Sequence, residues 1–363
     1  MNTFGKTIGL TIFGESHGLS IGAVLDGLPS GETIDWDAVR TEMARRAPGK
    51  NKMSTARSEK DAFEVQSGFF NGHTTGTPLC AIIRNSDQHS RDYDQLRHIM
   101  RPGHADYSGK IRYGGFNDYR GGGHFSGRLT APLVFAGAVA SQILARHGIT
   151  VGSHILRLAG IADKPFDAAG ETAETLQALK KETLPVLDKA QAGPMEEKIL
   201  EAKNDLDSVG GVIECMVTGL PAGIGDPFFD SVESQLSHMM FSVPAVKGIE
   251  FGDGFALADL RGSQANDAFY YDGDAVKTRT NHNGGINGGI TNGMPVVFRL
   301  AVKPTASISQ KQETIDTDTK ENCDLVIKGR HDPCIVQRAI PVVEAAAAWA
   351  ILDVCLSEKG RCW

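Results

Sequence analysis

The sequence has no CxxC pair and no zinc-ligand spacing; its six cysteines, at 80, 215, 323, 334, 355 and 362, are scattered over 363 residues. In a chain of this size that scatter excludes a disulfide framework and reads as buried or free thiols in a reducing compartment. Excess positive charge is absent too. The net charge of -7 argues against a nucleic-acid-binding surface. No basic N-terminal segment leads into an apolar stretch, so no signal peptide is expected. The longest apolar windows, 132–145 and 345–354, fall short of the roughly 20 residues that a membrane helix needs. A soluble, cytoplasmic protein without membrane or nucleic-acid partners is the expectation.

Cofactor fingerprints are missing as well. Neither Gly121-Gly122-Gly123-His124-Phe125-Ser126-Gly127 nor Gly284-Gly285-Ile286-Asn287-Gly288-Gly289 fits GxGxxG. Gly5-Lys6-Thr7 ends like a phosphate loop but lacks the upstream glycine. The ordinary dinucleotide and nucleoside-triphosphate folds are therefore not indicated. Glycine itself is abundant: 42 residues, well above the roughly 7% of an average protein. No Gly-X-Y period accompanies them, which excludes collagen.

Charge is also unevenly placed. Arg40, Arg45, Arg46, Lys50, Lys52, Arg57 and Lys60 crowd one segment, and Arg101, Lys110, Arg112, Arg120 and Arg128 another. Basic segments inside an acidic chain suit a small anionic ligand better than a polyanion.

Apolar periodicity predicts helices at 35–47 (with Asp35 as cap), 130–147, 171–182, 194–207 and 340–357. The last is apolar nearly all round and should be deeply buried. Strands are predicted at 7–13, 21–25, 63–67, 79–84, 150–158, 211–218, 247–251 and 296–302. They do not alternate regularly with helices, so the class is α+β. Between them, 44–62, 85–128, 262–294 and 304–334 show little periodicity. Disorder is the default for 44–62 and 304–325, whereas the Tyr, Phe, Gly and His of 101–128 argue for a functional loop.

Several histidines stand in these loops. His17 lies between glycines in Gly14-Glu15-Ser16-His17-Gly18 at a strand exit. It fits a hydrogen-bonded turn residue or a general acid-base group. His104 lies in Arg101-Pro102-Gly103-His104-Ala105-Asp106, where Asp106 either orients it or binds a backbone amide. Three glycines, Arg120, Arg128 and a helix N-terminus make an anion site or a surface turn. Arg330-His331-Asp332 forms a local salt bridge, or holds an anion at Arg330 and takes a proton at Asp332. Lys303-Pro304-Thr305-Ala306-Ser307 offers hydroxyls, amides and an ammonium to a phosphate.

In order along the chain, GESHGLSIGAVLDGLP (14–29), RPGHADY (101–107), DYRGGG (118–123), AVKGIEFGDG (245–254), GGINGG (284–289) and GRHDPC (329–334) resemble the chorismate synthase family. The likeness spans essentially the whole chain. It implies one domain over 1–363, an α+β β-α-β sandwich with helices layered between antiparallel sheets, and a homotetramer. The implied reaction is a 1,4-anti elimination of phosphate and a ring proton from 5-enolpyruvylshikimate 3-phosphate, giving chorismate. It needs reduced FMN, supplied by an external flavin reductase or reductant, without net redox change.

By the same resemblance His17, His104 and Asp332 are catalytic. His17 protonates departing phosphate, His104 serves the flavin's pyrimidine edge, and Asp332 deprotonates the flavin. His124, Phe125, Ser126, Ala245, Gly288, Lys303, Pro304, Thr305, Ala306, Ser307 and Arg330 fall on flavin positions. Arg46, Lys52 and Arg128 fall on substrate or anion positions, and no metal is implied. The chain departs from the family at His124 (usually Arg), Phe125 (usually Ser), Leu129 (usually Glu) and Lys52 (usually Arg). Two other functions compete: a flavin reductase-like or bifunctional enzyme using NADPH, and a flavin- or phosphoanion-binding paralogue without turnover.

Overall fold

The computed structural model describes residues 1–49, 52–54, 61–85, 96–327 and 331–357. Strand Ser20–Asp26 pairs antiparallel with Leu79–Arg84 in the register Ile21–Ile83, Ala23–Ala81, Leu25–Leu79. All six of these side chains are buried, so period-two patterning gives the sheet one apolar face. Gly9–Gly14 and Thr3–Phe4 extend it on one side and Phe63–Ser67 on the other, making five antiparallel strands. A second five-stranded antiparallel sheet runs in the order Val246–Phe251, Val296–Val302, Gly211–Thr218, Thr150–Leu158, Ile161–Ala162.

Helices fill the space between. Trp36–Arg46 starts where Asp35 accepts the amides of Asp37 and Ala38, as its cap position requires. Thr130–Arg146 packs on the first sheet, Val336–Ser357 on the second, and the two pack against each other. The class is α+β, with helices between antiparallel sheets. Both long helices, counting the turn at Gly127 that leads into the first, are long and apolar enough to cross a membrane. The shorter apolar windows in the sequence did not anticipate that. The apolar window of the second is wholly buried within the protein and that of the first is 83% buried, as core helices require.

Two carboxylates on the inner helix are satisfied from elsewhere. Asp353 accepts the backbone amides of Lys6, Thr7 and Ile8 at 2.8–2.9 Å, which fixes the N-terminal segment. Glu344 accepts from Ser153 N and Oγ at 3.1 Å and from Arg45. The free thiols include Cys215 and Cys334, which are fully buried. Burial pushes Cys334 up to about 12 and Cys215 well above its ordinary value, so both are inert packing groups. Cys362 lies outside the described residues.

Segment 304–325 differs from expectation. It holds an antiparallel hairpin, Gln312–Asp316 with Glu321–Leu325. Its residues are mostly polar, and one of its few apolar side chains, Ile315, is exposed, so hydrophobic alternation was too weak to mark it. Leu325 packs with Leu96 and Ile327 in a small separate cluster. Helices Asp106–Arg112 and Val232–Met240 likewise had no sequence expectation. Much of 44–62 lies outside the described residues.

A charge ladder crosses the second sheet. His154, fully buried, sits 3.1 Å from Asp163 Oδ2 and 2.9 Å from Glu214 Oε2, and Glu214 Oε1 accepts from Arg299 at 2.8 Å. Burial alone would lower the His154 pKa, but the two carboxylates outweigh it and raise it. Burial likewise opposes the ionisation of Asp163 and Glu214, yet His154 and backbone amides bring both below the usual range. The imidazolium's stabilisation is therefore complete below its unfolded value of about 6.5 and fades as pH rises through its raised value. The carboxylates' share fades as pH falls through their depressed values. Replacing His154 by Gln should cost about 3–5 kcal/mol and abolish the alkaline decline in stability. Urea unfolding from pH 5 to 9 measures both; an unchanged alkaline slope would count against a charged His154.

Candidate active site

The loops that leave these sheets converge on one glycine turn. In Gly121-Gly122-Gly123 every residue has positive φ: 59°, 84° and 53°, a backbone that side chains rarely adopt. A Cβ on Gly121 would lie 2.2 Å from the His17 ring, and one on Gly122 would lie 3.3 Å from His104 Nε2. Two histidines 87 positions apart in sequence thus flank adjacent glycines. Ser16 N donates to Gly123 O at 3.1 Å and holds the His17 turn to this one. Asp118 lies beside them; Arg120 hydrogen bonds hold its carboxyl below the usual range, with a smaller contribution from His17.

His104 is oriented from behind. Its Nδ1 is 2.6 Å from Asp106 Oδ1, while Arg101 reaches both Asp106 oxygens at 2.7 Å. Burial works against ionisation of Asp106, but these bonds outweigh it and hold the group well below the carboxylate range. Nδ1 also lies 3.0 Å from Arg101 Nη2, but an ionised carboxylate only accepts, so the shorter contact to Asp106 favours the proton on Nδ1, and Nε2 faces Gly122. The same Asp106 also accepts the Arg101 amide at 3.2 Å. Both roles left open by the sequence are realised.

Arg101 ties the turn to 303–307 by donating to Ser307 Oγ at 3.2 Å. Lys303 Nζ donates to Gly103 O at 2.5 Å, and its amide donates to Ala245 O at 2.9 Å. Ala245 has φ +74°. Thr305 Oγ1 is buried with no hydrogen-bond partner among the described residues, although buried hydroxyls are nearly always paired. Pro304 and Ala306 lie in the same segment.

A third group is built on Asp61, whose side chain is wholly buried. Its Oδ2 accepts from Arg46 Nε at 2.8 Å and Nη2 at 2.6 Å, and its Oδ1 accepts from Arg128 Nη1. Burial draws the Arg46 pKa down; Asp61 opposes this, and the neighbouring Arg338 and Arg128 charges add to the lowering. A guanidinium in that position stays charged and gains from a further anion. Arg338 donates to Arg46 O at 3.1 Å and pairs with Asp332 at 2.5 Å, bringing Asp332 to the same edge.

The remaining predicted residues separate. His124 Nδ1 is 2.7 Å from Gly14 O, so its ring braces the strand exit. Phe125 packs where Gly109 has no side chain; a Cβ there would meet the ring at 2.5 Å. Ser126 accepts the Arg128 amide. Lys52 pairs with Glu196 at 2.9 Å and is largely exposed, and no described contact joins it to the cluster. Gly288, at φ +62° in a tight hairpin turn, borders open space. Arg330 lies outside the described residues. Sequence reasoning missed Asp61, Asn85 and Asp118. Asp118 belonged to the DYRGGG motif but had no role there, and Asp61 and Asn85 were given none.

The chorismate synthase family model matches residues 8–356. The chain belongs to this family. It is 45% identical over 355 residues to the chorismate synthase of Dehalococcoides mccartyi, covering 98% of this chain and 96% of that one. It is 46% identical to that of Chitinophaga pinensis, covering 99% and 98%, and 43% identical to that of Methanosarcina mazei, covering 97% and 95%. A crystal structure of a chorismate synthase superposes with TM-score 0.76 at 27% identity, over 99% of this chain and 95% of that one. The protein is therefore a lyase of the shikimate pathway.

Gly121 tests the geometry directly. Gly121→Ala should displace the His17 ring and lower stability by about 1–3 kcal/mol, since it adds a Cβ at positive φ against a buried ring. A crystal structure with thermal unfolding checks this; an unmoved His17 would refute the packing argument.

Proposed function

We propose that the protein converts 5-enolpyruvylshikimate 3-phosphate to chorismate by 1,4-anti elimination of phosphate, with reduced FMN as cofactor. The observation that carries this is the glycine turn flanked by His17 and His104. Two proton-transfer groups at one position with cationic loops around them match a reaction that expels phosphate and removes a ring proton.

The residues fit a flavin. The buried Thr305 hydroxyl has no partner among the described residues, and the same segment offers the Lys303 ammonium and the Ser307 hydroxyl, with Ala245 tied to it through the Lys303 amide. Thr305 and Ser307 would donate to the cofactor's polar groups, and His104 Nε2 would meet its edge. When bound, reduced FMN supplies a transient electron, so the elimination involves no net oxidation. No dinucleotide fingerprint is present, so we assign its reduction to an external reductase or reductant.

Charge placement supports the substrate. Arg46 and Arg128 meet on the one carboxylate of Asp61 in a buried position, and Lys303 adds an ammonium nearby in the 303–307 segment. Most other cations are already paired: Arg101 with Asp106, Arg120 with Asp118, Arg338 with Asp332. Guanidinium and ammonium groups gathered from several segments suit one phosphorylated dicarboxylate. Arg46 and Arg128 hold the anionic groups, His17 donates a proton to the leaving phosphate, and Asp332, oriented by Arg338, accepts one. The family's homotetrameric assembly is carried over with this function; exposed Phe228 and Phe229 are apolar surface for it. A cytoplasmic location is likewise proposed from the biosynthetic role.

An anaerobic assay with the enolpyruvyl substrate and chemically reduced FMN, following phosphate and chorismate, tests this. Turnover is expected, and ligand binding without product would reject the enzyme in favour of a non-catalytic paralogue. His17→Ala and His104→Ala should each lower kcat by about 100- to 10,000-fold with unchanged circular dichroism. Near-normal turnover in both would remove their roles. Thr305→Val should weaken FMN binding by about tenfold in an equilibrium titration while leaving the apoprotein at least as stable; unchanged affinity would place the flavin elsewhere.

A further inference from the structure

Asn85 follows directly on strand Leu79–Arg84 and touches two parts of the site that otherwise belong to different elements. Its Nδ2 donates to Gly18 O at 2.9 Å and to Glu15 O at 3.1 Å, the two carbonyls that bracket Ser16 and His17. Its Oδ1 accepts from Arg128 Nε at 3.1 Å. Its backbone amide donates to Leu19 O at 3.2 Å. Carbonyls on one side and a guanidinium on the other leave only one orientation of the side-chain amide that satisfies all three bonds.

No other side chain of similar size supplies this combination. Aspartate would present an acceptor to two carbonyls, and serine or alanine cannot span the gap. Arg128 is meanwhile anchored independently through Nη1 to Asp61. The amide is therefore not needed to keep the cation in the anion site, but it orients the cation at Nε. What it adds is a fixed relation between the cation and the turn that carries His17.

We propose that Asn85 is a positioning residue that couples the His17 turn to Arg128, so that the proton donor and the anion-binding cation keep one mutual geometry. This rests on the elimination reaction proposed above. Proton donation to a leaving phosphate depends on alignment with the group that holds the substrate, and small misplacements cost rate far more than affinity.

The test is Asn85→Ala, with Asn85→Ser as a second variant should the first not fold, both assayed well below their melting midpoints. Expected is a fall in kcat of about 10- to 100-fold with KM for the enolpyruvyl substrate within about threefold, because Arg128 keeps Asp61. A lower melting temperature with kcat within about twofold would reduce Asn85 to a structural residue. A raised KM at unchanged kcat would make it an anion-site residue and overturn the coupling. Hydrogen exchange without substrate gives an independent readout: amides of 14–19 and of 124–129 should speed up together in Asn85→Ala. Acceleration of one segment alone, or of neither, overturns the proposal. Absence of turnover in the unsubstituted protein would reject the reaction, and the exchange result would then decide the coupling by itself.

Discussion

A methyl group on Gly137 would sit 2.2 Å from Ala345 Cα, so helices Thr130–Arg146 and Val336–Ser357 meet almost backbone to backbone. The contact forces the two into a single layer, and the sheets cover its two faces. It also sets where the helices begin. Arg128 stands just before the first and Arg338 in the first turn of the second, and each reaches the neighbourhood of Arg46 from its own side. Loosening this packing would move cations, not only core methyls.

Buried charge is the second organising constraint, and it is handled the same way in two places. In the second sheet a histidine lies between two carboxylates, with an arginine beyond. Around Asp61 two arginines lie on one carboxylate. Desolvation penalises every one of these groups, and partners recover the cost only where hydrogen-bond geometry is good. The sheet ladder is internally matched and serves stability. The Asp61 group gathers Arg46 and Arg128 on one buried carboxylate, with Arg338 beside them, a clustering of guanidinium groups that the sheet ladder lacks.

The eight predicted strands and five predicted helices were legible because each carried its own period, and 79–84, 150–158, 211–218 and 296–302 coincide with observed strands to the residue. Hairpin Gln312–Asp316/Glu321–Leu325 was not legible, since its mostly polar residues carry no apolar alternation. At the site, His17, His104 and the 121–123 glycines stood out by motif. Asp61 and Asn85 did not, because a lone Asp or Asn means nothing until a guanidinium from 67 or 43 positions away arrives beside it. His124 and Phe125 were read as changes to ligand contacts, yet they brace Gly14 and pack on Gly109.

The sequence alone determined the α+β class, the buried character of the last helix and the set of histidines, glycines and cations available for chemistry, because composition and periodicity are local properties. Only the tertiary structure decided which cations gather on one carboxylate, which histidine nitrogen faces Asp106, and that His17 and His104 flank one turn. Those are matters of distance between residues remote in the chain, and charge and hydrogen bonding act through space. The glycine excess shows the division. Its abundance was plain in the sequence, but that Gly121 and Gly122 are what let two histidines close on one point required the fold.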